Sequence, residues 1–183
     1  MKTFIRQGFT IIEIAVTLAI VAVIFTFILA NSGTTKNSTG SRLAIEALTS
    51  DIRMAANKAL ASETFQLEEP GGWGIFIDAE NKTYAVFADL NSDNQYELKE
   101  KYKDVDLPET ISSLSFTAYS DPPNGLPSPL TIVFPLQRGE ALVNGVLMSL
   151  EAALVLITIQ DNKNGMSADL WVNSSGAVGV EFD

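Results

Sequence analysis

Hydrophobic positions along the chain fall into three regimes. From Phe9 to Ala30 the sequence reads FTIIEIAVTLAIVAVIFTFILA, 22 residues with a single charge, Glu13. A helix rises about 1.5 Å per residue, so this run spans about 33 Å and can cross the hydrocarbon core of a bilayer. The next stretch, NSGTTKNSTG from Asn31 to Gly40, is polar, and its glycines and β-branched residues disfavour helix. It predicts a kinked or frayed segment. Helical periodicity resumes from Ser41, a candidate N-cap, to Ala61. Leu43, Ala47, Leu48, Ile52, Ala55 and Ala59 mark an apolar stripe, with Arg42, Glu46, Arg53 and Lys58 toward solvent.

After Glu63 the period changes. Strand signals cover Thr64–Leu67, Gly74–Asp78, Tyr84–Asp89, Leu114–Tyr119, Leu130–Phe134, Ala152–Gln160, Asp169–Asn173 and Ala177–Phe182. Turn chemistry separates them at Pro70-Gly71-Gly72, Asp121 to Gly125, Asn164-Gly165 and Ser175-Gly176. The last three strands read as an antiparallel meander. Gly139–Glu151 mixes periods and reads as a loop or short strand. Helix followed by hairpins is α+β architecture, with the helix covering a sheet face.

Composition narrows the chemistry. The 183 residues carry 12 Lys plus Arg against 22 Asp plus Glu, a net charge of −10, with neither Cys nor His. Disulfides, thiol catalysis, Cys-ligated zinc and a Ser-His-Asp triad are therefore excluded. The acidic balance makes nucleic acid an unsuitable partner. Mean hydropathy is nevertheless positive, because the apolar run offsets a remainder (residues 31–183) of net charge −11. Lys2 and Arg6 precede the run with no acidic residue, which places residues 1–8 on the cytoplasmic side and the bulk of the chain outside.

A carboxylate within a membrane-length apolar helix costs about 2.5–3.5 kcal/mol on insertion scales, so Glu13 requires a partner. A plain signal anchor provides none. Nor does a cleavable signal ending at Ala30-Asn31-Ser32, whose apolar run would exceed the usual length of about 7–15 residues. The stretch Gly8-Phe9-Thr10-Ile11-Ile12-Glu13, behind a leader carrying Lys2 and Arg6, resembles the processing site of type IV prepilins and type II secretion pseudopilins. That resemblance implies cleavage after Gly8 and N-methylation of Phe9 by a prepilin peptidase. It also implies that Glu13 meets the new ammonium of a neighbouring subunit during assembly.

The resemblance further implies a type IV pilin-like fold. Residues 1–8 would be leader, 9–30 the membrane-spanning and filament-core helix, 31–63 the kinked segment and amphipathic helix, and 64–183 a β-rich head. The order of elements is similar to minor pseudopilins of the GspH/FimT type, on Gly74–Asp78, Tyr84–Phe87, Ile132–Phe134 and the ending from Trp171 to Val178. Such a chain catalyses nothing. It sits in a prokaryotic inner membrane with its head extracytoplasmic, then enters a pilus or pseudopilus filament. Its partners are the peptidase, other pilin or pseudopilin subunits and the inner-membrane assembly platform. Members that take up DNA are expected to be basic near the C-terminus. Here Lys163 alone follows Arg138, against Glu140, Glu151, Asp161, Asp169, Glu181 and Asp183. The competing class is a signal-anchored extracytoplasmic enzyme or calcium-binding module.

One further segment carries chemistry. From Asp89 to Glu100 oxygen-bearing side chains fall at the spacing of a twelve-position calcium loop: Asp89, Asn91, Asp93, Glu97 and Glu100, with the Gln95 carbonyl at position 7. Position 6, where φ is positive, is Asn94, the best substitute for Gly. The alternative is an Asn/Asp-rich hairpin turn bonded to its own backbone. Trp73 and Trp171 read as packing residues, Glu68-Glu69 as solvated surface, and the sequons at Asn37, Asn81 and Asn173 as chance triplets.

Overall fold

The computed structural model describes residues 10–118, 124–136, 140–147, 154–173 and 176–183, with backbone alone at 30–39, 124, 147 and 154. Helix α1 covers Ile11–Leu60. Its helical assignment runs through 31–40, and the chain divides into two compact units within that stretch, between Asn37 and Ser38.

Among the described residues of the second unit eleven strands follow: β1 Gly72–Asp78, β2 Thr83–Asp89, β3 Lys101–Asp106, β4 Ser113–Ala118, β5 Asn124–Gly125, β6 Leu130–Pro135, β7 Leu142–Val143, β8 Val146–Leu147, β9 Leu154–Asp161, β10 Met166–Asn173 and β11 Val178–Phe182. They form two sheets, ordered β3-β2-β1-β6-β7-β8 and β11-β10-β9-β4-β5. Every pairing is antiparallel. The chain is thus α+β, an N-terminal apolar helix followed by an antiparallel head, and β9-β10-β11 is the expected meander.

The core lies where one face of the helix meets both sheets. Ile45, Leu48, Ile52 and Ala55 are fully buried with Trp73, Ile75, Ile77, Val86, Ile132, Ile157, Ile159 and Leu170. Side chains in strands alternate faces. Accordingly, Ala168, Leu170 and Val172 of β10 point inward, while Ser167, Asp169 and Trp171 are less buried.

Several expectations change. The helical stripe is rotated: Leu43 and Ala47 are exposed, and Ile45, Thr49 and Asp51 are buried in their place. Ser41 is no N-cap; it lies inside the helix, fully buried. Lys58 is largely withdrawn from solvent, its side chain 11% exposed. Its ammonium lies 4.6 Å from the ring centroids of both Trp73 and Tyr102 and pairs with Glu63.

Thr64–Leu67 is a tight turn rather than a strand. The backbones of Phe65 and Glu68 exchange two hydrogen bonds of 2.9 Å, and Gln66 and Leu67 between them have φ of 52° and 70°. Gly139–Glu151 contains a hairpin. Asn144 and Gly145, with φ of 47° and 77°, join β7 to β8, because this dipeptide accepts the positive φ that a two-residue hairpin turn requires. β3 is an unforeseen strand, exposed along most of its length at the edge of its sheet. Predicted strand ends at Tyr119 and at 152–153 lie outside the described residues, as do positions 121–123 and 175 of the predicted turns.

Candidate functional site

Three groups of residues carry polar chemistry that packing alone does not require. The first is at the start of α1. Apolar residues from Ile11 to Leu29 make a helix long and apolar enough to span a membrane, and they are exposed all round. Glu13 sits in its first turn. The Thr10 backbone N–H donates to Glu13 Oε2 at 2.8 Å and the Thr10 hydroxyl donates to the same oxygen at 3.0 Å. The Glu13 N–H donates back to Thr10 Oγ1 at 3.3 Å. This reciprocal pattern is a capping box, which satisfies amide groups that a helix start leaves without partners. Lys2, Arg6, Gly8 and Phe9 lie outside the described residues.

The second group is the Asp89–Glu100 loop. Asp89, at the end of β2, and Glu100 are both buried, although the loop between them is mainly exposed. Asp89 accepts N–H bonds from Asp93 at 3.2 Å and Asn94 at 3.0 Å. Glu100 accepts from Leu90 at 3.1 Å and Glu97 at 3.2 Å, so the two carboxylates close the loop from both ends. Asn94 has φ of 61°, the conformation expected at position 6. Burial pushes the Asp89 carboxyl above its ordinary range against the pull of those N–H bonds, and the Asp93 charge adds to the rise. Burial raises Glu100 likewise, helped by Asp89 and Glu97.

The remaining expected ligands are engaged locally. The Asn91 side-chain amide donates to Asp93 Oδ2 at 3.0 Å, the Gln95 N–H donates to Asp93 Oδ1 at 2.8 Å, and Glu97 pairs with Lys99 at 2.7 Å. Among the described residues no three acidic side chains converge as a metal cluster.

The third group escaped the sequence reading. Asp51, on the helix's buried face, accepts from the Tyr84 hydroxyl at 2.8 Å and from Lys103 Nζ at 2.6 Å. Burial, then the Asp51 hydrogen bond and charge, drive the Tyr84 phenol well above its ordinary value. Asp161 binds the Ser41 hydroxyl at 2.5 Å and the Asn164 backbone N–H and side-chain amide at 3.1 and 2.7 Å. Burial raises its carboxyl, but the bonds from Ser41, Asn164 and Lys163 outweigh that and leave it lowered. These groups pin the helix to β2, β3 and β9. A polar residue at an apolar phase, as at Asp51, was the available signal. Arg53 differs: its guanidinium donates to the Val178 carbonyl at 3.2 and 2.9 Å beside a cavity of about 280 Å³.

No family model, curated protein or solved structure matches the chain.

Proposed function

We propose that the chain is a structural subunit, a minor pilin or pseudopilin, of a type IV pilus or type II secretion-like filament. It is cut after Gly8 and N-methylated at Phe9 by a prepilin peptidase. The observation that carries this reading is the placement of Gly8, Phe9 and Glu13 at the entry of a helix able to span a membrane, followed by an antiparallel head. The anchor holds the chain in the inner membrane before assembly. Thr10 keeps the Glu13 carboxylate hydrogen-bonded in the single chain, and docking exchanges that local partner for the Phe9 ammonium of a neighbour. N-terminal sequencing of the membrane-extracted protein tests the assignment. It should begin at N-methyl-Phe9, and the Glu13→Ala variant should be inserted and cut but depleted from sheared filaments. An intact Met1, or a start near Gly33, supports the signal-anchored alternative.

A second reading concerns the loop. We propose that Asp89–Glu100 takes up Ca²⁺, favoured by the positive φ at Asn94 and by the paired burial of Asp89 and Glu100 at its ends. Asp89, Asn91, Asp93, Glu97 and Glu100 would supply side-chain oxygens and Gln95 its carbonyl. Calorimetric titration of the detergent-solubilised chain should give binding heat that disappears in Asp89→Ala and Asp93→Ala. No heat at millimolar Ca²⁺ leaves only the turn.

A further inference from the structure

Leu67 is fully exposed, on a turn with positive φ at two non-glycine residues. Asn-Gly is the usual occupant of such a turn, and a bulky side chain there is an outlier whose persistence calls for a use. Glu68 and Glu69, both exposed, follow it directly. The chain therefore presents an apolar knob with an acidic flank.

A complementary hollow exists on the same head. The cavity is walled by Ala56, Leu60, Phe134, Pro135 and Val178, with Arg53 at its side. Among the described residues Arg42, Lys58, Lys99, Lys101 and Lys103 each pair with a carboxylate, whereas Arg53, like Lys82, donates to a backbone carbonyl. It is exposed and positive in a chain of strong negative charge.

We propose that Leu67 of one chain enters this cavity on a second copy, with Glu68 and Glu69 meeting Arg53. The exposed Leu67 does not fill its own cavity, so knob and hollow are both free to meet a second copy. Opposite charge sets the register, and the leucine supplies the apolar anchor. The choice of a second copy as occupant rests on the filament reading above.

The absence of cysteine makes the test clean. Two full-length, differently tagged chains, one with Gln66→Cys beside the intact Leu67 and one with Asn57→Cys at the cavity, are co-expressed and mildly oxidised in native membranes. The expected product is a disulfide-linked dimer carrying both tags. Its loss in Arg53→Glu, and its return when Glu68→Arg and Glu69→Arg are added to the Gln66→Cys partner, confirms the charge pairing. Monomers or singly tagged dimers alone, with both thiols reactive to maleimide, overturn the contact. An Arg53→Glu variant that cross-links normally overturns the charge pairing. The N-terminus of the same chains separates the two ideas. A Phe9 start without cross-link removes only the contact, and a cross-link between chains starting at Met1 removes only the filament reading.

Discussion

The two ends of α1 share one backbone and answer to different surroundings. Between Ser41 and Leu60 the helix is two-faced, with Ile45, Leu48, Ile52 and Ala55 fully buried and Arg42 and Glu46 paired in solvent. Between Ile11 and Leu29 it is apolar all round, with Ile11 at 89%, Leu18 at 64% and Phe27 at 74% exposure. A two-faced helix finds its apolar partner within its own domain. A helix apolar on every side needs an apolar surrounding on every side. Tertiary packing sets the stability of the Ser41–Leu60 part.

The sharpest way to break this comparison is a pair of truncations. Ile52→Ala should lower head stability by about 2–5 kcal/mol, the usual cost of a core cavity, followed by Trp fluorescence during denaturant unfolding. Leu18→Ala should leave that transition unmoved, and equal effects would erase the distinction. A smaller effect tests the polar seam of the head half. Asp161→Ala removes the carboxylate that accepts from Asn164 and Ser41, leaving Ser41 only its Thr110 hydroxyl contact at 2.7 Å, and should cost about 1–3 kcal/mol by the same measurement.

The smallest effect is in pH. Asp78, lowered chiefly by its bonds from Asn81, and Asp161 contribute stability that is present above about pH 4, the unfolded carboxylate value, and lost as pH falls through their lowered folded values. Asp89 and Glu100 act in the opposite sense. Their raised values contribute stability below about pH 4 that is lost as pH rises through them. Melting curves from pH 2 to 7 should carry both components, and Asp161→Asn should remove part of the acid-side loss.

Much of the fold was legible because burial leaves a period. β1, β2, β6 and the closing meander were found from their apolar runs, and Asn94 was correctly assigned its left-handed backbone. The misses have physical causes. β3, KYKDVD, is an exposed edge held by backbone pairing to β2 and by Lys103 to Asp51, so it carries no hydrophobic signature. The hairpin at Leu142–Leu147 was hidden by its brevity, although Asn144-Gly145 announced it. The helical stripe slipped in phase because Thr49 and Asp51 were counted as polar, while hydrogen bonds to Ile45, Tyr84 and Lys103 make them residents of the interior. In the candidate sites, residue types and spacing could be read, but the closure of the 89–100 loop by two buried carboxylates depends on the sheet that buries them.

The edge strand β3 bears on crowding. Two identical antiparallel strands related by a two-fold axis set residues of equal parity opposite one another, because opposed side chains must share a face. Over Lys103–Asp106 a register centred on Lys103 opposes two ammonium groups, and one centred on Asp104 or Asp106 opposes two carboxylates. A register centred on Val105 sets Asp104 against Asp106 twice. Like charges meet in every case, which is how an open edge resists fusing with its own kind. Many copies held at high local density can thus stay separate along this border, and their association is left to surfaces other than the sheet.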